Sequence, residues 1–271
     1  MRVKVQKPKS RSKIRIILGT KFYIFKRHIE MIFSKHTFAS IDNTAHLQHK
    51  HFSHSTPLLR KLKDVDMYLQ YNKIENLKIA IPKINYLTIH PGEVFSYWKL
   101  IGKPSKKKGY KKGMVLKSGS FFAGTGGGLC QLTNLIYWMT IHTPLTILER
   151  HRHGYDVFPD SNRTQPFGSG ATCYYNYGDL MIKNETDQTF QLLLEITENN
   201  LVGTWLSDIP PKNRYEVYEK EHLMQQEYWG GYTRHNVIYR KIYDLNGTLV
   251  GDKYVVENHA IMMYSPLLSA K

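Results

Sequence analysis

The sequence has no long apolar run. Near its start the longest is Ile16–Leu18, inside "KIRIILGTKFYIFKRHIEMIF", where basic residues interrupt every few positions. A helix that crosses a bilayer needs about 20 mostly apolar residues, and a secretory signal needs an apolar stretch of about 7–15. Neither is expected here. The reading is a cytoplasmic protein, with the inner face of the membrane as a peripheral location, because the stretch makes a basic amphipathic helix. Cysteine is also scarce, with only Cys130 and Cys173. In a chain read as unexported, two cysteines do not make a disulfide framework, so they are expected to stay unpaired. Acidic residues are scarce in one region alone. Residues 1–60 hold thirteen Lys and Arg against Glu30 and Asp42, a surplus of eleven within a net charge of +16. Residues 1–56 are therefore read as a basic N-terminal arm, partly disordered or amphipathic. An anionic membrane surface is the partner such an arm fits, a solvated extension is the alternative, and no nucleic acid is expected.

Tyrosine is plentiful, with 19 copies, and suits half-buried sheets and cleft walls. Residues 57–271 are read as one domain. Leu58, Leu62, Val65 and Leu69 recur at helical spacing and predict a helix over 58–79. "AIPKINYLTIHPGEVFSYWKLIG" reads as a strand, a turn at Pro91-Gly92, then a strand or short helix, and "KPSKKKGYKKG" as a charged loop. After Pro144 the period changes to two. "LTILERHRH", "GATCYYNYGDLMIKN" and "TFQLLLEITENNLVGTWLSD" alternate, and Asn246-Gly247 marks a hairpin turn. The class is α+β: a central helix with a Gly-Cys N-terminus, followed by a mostly antiparallel sheet.

That central helix follows "TGGGLC". Leu129, Leu132, Leu135, Ile136 and Met139 give its amphipathic period, and Pro144 ends it. On the wheel Cys130 points roughly opposite the Leu132–Met139 stripe, near Asn134, Tyr137 and Ile141. First-turn N–H groups have no intrahelical acceptor and carry partial positive charge, which favours a thiolate. Gly126, Gly127 and Gly128 would let a substrate approach, and their N–H groups would line an oxyanion hole. A phosphate-binding turn without a nucleophile, or a small buried cysteine, is the competing reading. Cys173 alternates with Ala171 and Tyr175 and is read as a packing residue.

"ERHRHGYDVFPD" supplies bases. On a strand Glu149, His151 and His153 share one face, and Arg150 and Arg152 the other. His151 or His153 would serve Cys130 as base, oriented by Asp156, Asp160 or Glu149. Arg150, Arg152 and Arg163 would clamp a substrate carboxylate, with Asn134 as a further substrate contact. A solvated edge strand or an H-x-H metal site are the alternatives; no metal and no cofactor are expected.

"HPGEVFSYWKLIG", "KGYKKGMVL", "GGGLCQLTNLIYW", "LTILERHRHGYDVFPD" and "GSGATCYYNYGDLMIKNET" together resemble the VanW family, from about Pro91 to about Thr186, leaving 187–271 as a β-rich extension. The family is named for an accessory protein of vancomycin-resistance gene clusters. The resemblance implies a role in resistance and cell-wall metabolism. It also implies a cysteine acyl-enzyme chemistry of the L,D-transpeptidase type on peptidoglycan peptides. Carried over, the nucleophile position is Cys130, followed by Gln131, and His153 matches the family's Arg-x-x-His counted from Arg150. Gly170 stands where many relatives have Asp. The alternative is a module that binds cell-wall precursors at the inner membrane face without chemistry.

Overall fold

The computed structural model describes residues 11–44, 46–62, 65–117, 119–159 and 164–266. In chain order the elements are α1 (Lys13–Ile32), β1 (Ser40–Ile41), β2 (His49–Pro57), α2 (Met67–Ala80), β3 (Leu87–Ile89), β4 (Val94–Ser96), α3 (Tyr97–Ile101), β5 (Lys112–Lys117), β6 (Ser120–Thr125), α4 (Cys130–Thr140), β7 (Thr146–Glu149), β8 (Tyr155–Asp156), β9 (Met181–Lys183), β10 (Phe190–Ile196), β11 (Asn200–Ser207), β12 (Arg214–Gln226), β13 (Tyr232–Tyr243) and β14 (Leu249–Met262). The fold is α+β.

An antiparallel five-stranded sheet, ordered β1-β3-β10-β11-β2, forms the floor. Along β11 buried and half-buried residues alternate, the signature of a strand covered mainly on one face. Leu201 and Trp205 point into the core. Helix α4 lies on that face and crosses β11 at Gly203, where a Cβ would stand 2.5 Å from Met139 Cε. The Trp205 indole donates to Thr140 Oγ1 at 3.1 Å, which locks the C-terminal end of α4 to the sheet. Leu132, Leu135, Ile136 and Met139 are fully buried, as their spacing predicts.

Three smaller sheets surround this unit. The ladder β4-β9-β7 carries the histidine segment, the hairpin β5-β6 leads into the glycine turn, and β12-β13-β14 forms a long antiparallel ribbon with β8 parallel to β14. The Asn246-Gly247 turn joins β13 to β14, with Gly247 at φ +82°.

Two boundaries differ from the sequence reading. The arm does not extend to residue 56, because β1 pairs with β3 and β2 pairs with β11 along its length. "HKHFSHSTP" is polar, but as an edge strand it needs only backbone pairing and one half-covered face. The helix expected over 58–79 begins at Met67 instead: the Leu58 N–H donates to Asn199 O at 2.8 Å and continues the sheet. Among the described residues, no helix is long and apolar enough to cross a membrane.

Candidate functional site

The glycine turn is built by close packing. Asn76, fully buried on α2, donates to Gly127 O at 2.9 Å, while its Oδ1 accepts from Lys111 N at 2.7 Å. Gly127 stacks on Gly113, where a Cβ would lie 2.2 Å from the Gly113 carbonyl. Gly128 adopts φ +91°, which L side chains rarely adopt, and the stem of Lys73 occupies the space a Cβ would need. The Gly127 N–H donates to Gly124 O at 3.0 Å and so is already used inside the turn. That corrects its expected place among oxyanion donors. The turn delivers the chain directly into the first residue of α4, Cys130.

The Cys130 thiol is half-buried, not free on an outer face. Eight of the eleven residues of α4 are buried, including Thr133, Tyr137 and Trp138, so the helix is covered on its second side too. There the chain at 171–174 lies over it, fixed by the Thr133 hydroxyl donating to Ala171 O at 2.7 Å. Cys130 Sγ stands 3.2 Å from Thr172 Oγ1 and 3.8 Å from Cys173 Sγ, with both thiols free. Thr172 Oγ1 in turn stands 2.9 Å from His153 Nε2, and His153 Nδ1 lies 2.8 Å from Tyr174 Oη. The result is a continuous chain: thiol, threonine hydroxyl, imidazole, phenol. The Cys173 thiol donating to Cys130 pulls the Cys130 thiol well below its ordinary range; burial opposes this, and His153 and Thr172 add to it. Cys173 moves the opposite way, pushed up by the same hydrogen bond and by burial. Burial pushes Tyr174 up to about 12, so it keeps its proton.

The two histidines separate here. His151 Nε2 lies 2.7 Å from Glu149 Oε1, and that carboxylate also accepts a bidentate pair from Arg27 of α1, at 2.7 Å each, and the Asp179 N–H at 2.9 Å. Burial alone would raise the Glu149 carboxyl, but the bonds from His151, Arg27 and the Asp179 N–H outweigh it and bring it down to about 2. Glu149 thus orients His151 and not His153. Asp156 orients neither: it pairs with Arg234 at 3.3 Å and accepts from Tyr264 at 2.8 Å. Asp160 and Arg163 lie outside the described residues. Among the described residues, no three His, Cys, Asp or Glu side chains converge as a metal would require.

The expected substrate clamp is structural. Arg150 donates to Gly170 O at 2.9 and 2.7 Å, to Gly168 O, and to Asn258 Oδ1 at 3.0 Å, and its guanidinium lies 4.8 Å from the Tyr137 ring centre. Arg152 stands 4.0 Å from the Phe167 ring centre, on a ring that Arg234 also covers. Asn134 is exposed and packs on Gly170, where a Cβ would lie 2.3 Å from Asn134 Oδ1. Gly170 is therefore matched to Asn134. Gln131 does not face an oxyanion either. Its Nε2 donates to Thr56 Oγ1 at 2.9 Å and Pro57 O at 3.0 Å, tying α4 to the end of β2.

Thr172, Cys173 and Tyr174 were missed as site residues, since "ATCYYNY" reads as ordinary packing. A surface hollow of about 160 Å³ near His51, Pro144, Gln188, Lys212 and Tyr215 shares no residue with the cysteine site.

Residues 72–206 match the model of the family described as VanW like protein. The chain is 38% identical over 152 residues to the Vancomycin B-type resistance protein VanW of Enterococcus faecalis, covering 56% of this chain and 55% of that protein. It is 22% identical over 151 residues to the uncharacterized protein YoaR of Bacillus subtilis, covering 51% and 47%. These alignments span about half the length of the relatives. No solved structure matches. The matched residues include α4, the histidine segment and the 171–174 stretch, and on this ground the chain belongs to the VanW family.

Proposed function

We propose that the chain acts in vancomycin resistance, as its Enterococcus relative is named for, by cysteine-dependent acyl transfer on cell-wall peptides. The observation that carries the reading is the chain Cys130–Thr172–His153–Tyr174 at the start of a buried helix. In the tautomer with Nδ1 protonated, His153 donates to Tyr174 Oη and accepts from Thr172 through Nε2. The Cys130 proton then moves through the Thr172 hydroxyl to Nε2. The thiolate attacks a peptide carbonyl carbon and a C–S bond forms. The Gln131 and Leu132 N–H groups donate to Gly128 O and Leu129 O, both at 3.0 Å, so of the first-turn donors the Cys130 N–H is the one this reading assigns to the developing oxyanion. Collapse breaks the C–N bond, and the proton on His153 goes to the departing amine. An incoming amine of a second peptide attacks the thioester and gives a proton to His153, the new C–N bond forms, and the C–S bond breaks to release the thiolate. Gly128 and Cys130 remain the donors this reading uses, with His151 outside it.

The test is intact-mass spectrometry after incubation with a cell-wall tetrapeptide. The expected result is an adduct of the peptide less its departing residue, absent from Cys130→Ser. Saturable binding with no covalent adduct would overturn the acyl-transfer reading in favour of a precursor-binding module.

A further inference from the structure

Helix α1 has two unlike faces. At about 100° per residue, Gly19, Thr20, Ile24, Arg27 and Met31 fall on one side, and these are the helix residues that the rest of the chain partly covers. Ile14, Leu18, Phe22, Phe25, Ile29 and Ile32 fall on the opposite side, with exposures from 40% for Ile29 to 72% for Ile32. Single exposed apolar residues need no explanation, but an aligned row of large ones does. The helix carries Lys13, Arg15, Lys21, Lys26 and Arg27 against Glu30 alone. Lys21 flanks the apolar row on one edge, and Arg15 and Lys26 on the other, where long stems can lie along the row with the charges at its border.

We propose that α1 lies in the interface of an anionic membrane, its apolar row in the acyl boundary and its basic side chains other than Arg27 among the lipid phosphates. A helix of 20 residues spans about 30 Å along such a surface, and it is not apolar enough to cross one. Charge decides against a second copy as the occupant. A two-fold contact brings the same face against itself, and here that would set the basic flanks, Lys21, Arg15 and Lys26, against their own images.

The covered face tells what this docking does. Arg27 holds Glu149 in the bidentate pair, and Tyr23 packs on Tyr177 with ring centres 6.3 Å apart. Tyr177 stacks in parallel on Tyr174 at 5.8 Å, and Tyr174 is the partner of His153. The Cys130 site therefore lies two aromatic layers from the membrane helix, which brings it to the lipid surface. Docking needs α1 and not the thiol, so it stands or falls apart from the acyl-transfer reading.

The experiment is co-sedimentation of the full chain with phosphatidylcholine vesicles, with and without about 30% phosphatidylglycerol. Binding is expected with the anionic lipid only, and it should weaken as salt rises from about 0.1 M to about 0.5 M. Phe22→Asp/Phe25→Asp should lower the affinity about tenfold or more, since two apolar anchors are replaced by charges of the wrong sign. Both residues are exposed, so the variant should melt with the parent. Cys130→Ser should bind like the parent. No binding to anionic vesicles, or unchanged binding by the double variant, overturns the proposal. So does a parent dimer that the double variant turns into monomers, because the row is then an interface between copies.

Discussion

Helices α4 and α1 start from the same kind of sequence and end in opposite surroundings. Both carry apolar residues at helical spacing. In α4 eight of eleven residues are buried, and in α1 none of twenty is. The apolar row of α4 rests on β11, and its other side is closed by the 171–174 stretch, so Cys130 is held between two layers. The apolar row of α1 points away from the chain, and its opposite side makes the contact, with Ile24 and Met31 partly covered, Arg27 on Glu149 and Tyr23 on Tyr177. Periodicity states that a face is apolar. It does not state whether that face turns inward, nor whether the opposite face is covered as well.

The sharpest test of this difference is truncation on each row. Leu135→Ala removes a fully buried side chain beside Gly203 and should cost about 2–5 kcal/mol, whereas Phe25→Ala should stay within about 0.5 kcal/mol. Paired denaturant melts measure both. Similar losses would break the comparison, because α1 would then be a core helix.

Next in size is the strut that holds α1. Arg27→Ala removes two charge-assisted hydrogen bonds from a largely buried Glu149 and should cost about 1.5–3 kcal/mol at neutral pH. The cost should depend on pH. Glu149 titrates at about 2 in the fold against an ordinary 4.5, so its stabilisation is complete above about pH 4.5 and is lost as pH falls toward 2. The gap between parent and variant should close across that window. Burial pushes Asp179 up to about 6, which works with the opposite sign as pH falls from 6 toward 3.8. Arg27 also interacts with Asp179 through charge, so Glu149 is read in the lower part of the window, below about pH 3.8, where Asp179 has already taken up its proton in both chains. A gap that stays constant down to pH 2 would show that Arg27 acts by packing alone.

How much of this was legible follows from where each signal lies. The period of α4, the Pro91-Gly92 turn and the Asn246-Gly247 hairpin are local patterns, and the structure keeps them. The edge strand β2 carries three histidines and little apolar period, and its order comes from backbone pairing with β11, about 150 residues away. Glu149 and His151 share a face as alternation predicts, but the strand geometry lapses before His153, whose partners come from residues 172 and 174. Cys173 packs in the core as its alternation with Ala171 and Tyr175 predicts, but nothing local in the sequence shows that it also meets Cys130, 43 residues away. Arg150 looked like a clamp because nothing in the sequence shows that the carbonyls of Gly168 and Gly170 would fold onto it.

The smallest effect is expected where the two helices come nearest to one another in function, at Tyr174. Its ring stacks on Tyr177, which faces α1, and its hydroxyl meets His153, which serves the thiol of α4. Tyr174→Phe keeps the stack and deletes only the hydroxyl, so stability should change by about 1 kcal/mol or less. The chemistry should still move. With Nδ1–H unpaired, the imidazolium that faces the thiolate through Thr172 loses a hydrogen bond, and the charged pair is less favoured. The Cys130 thiol should then deprotonate at higher pH, so the rise of its alkylation rate with pH should move upward. Iodoacetamide labelling of Cys130 from about pH 5 to about pH 9, read by mass, measures this, and Cys173, buried and pushed up in pKa, should label far more slowly in either chain. An unchanged profile would mean that Tyr174 only fills space between α1 and the site. A shift with the melt preserved would mean that the phenol orients His153, and that the layer joining the exposed helix to the buried one is part of the reacting chain.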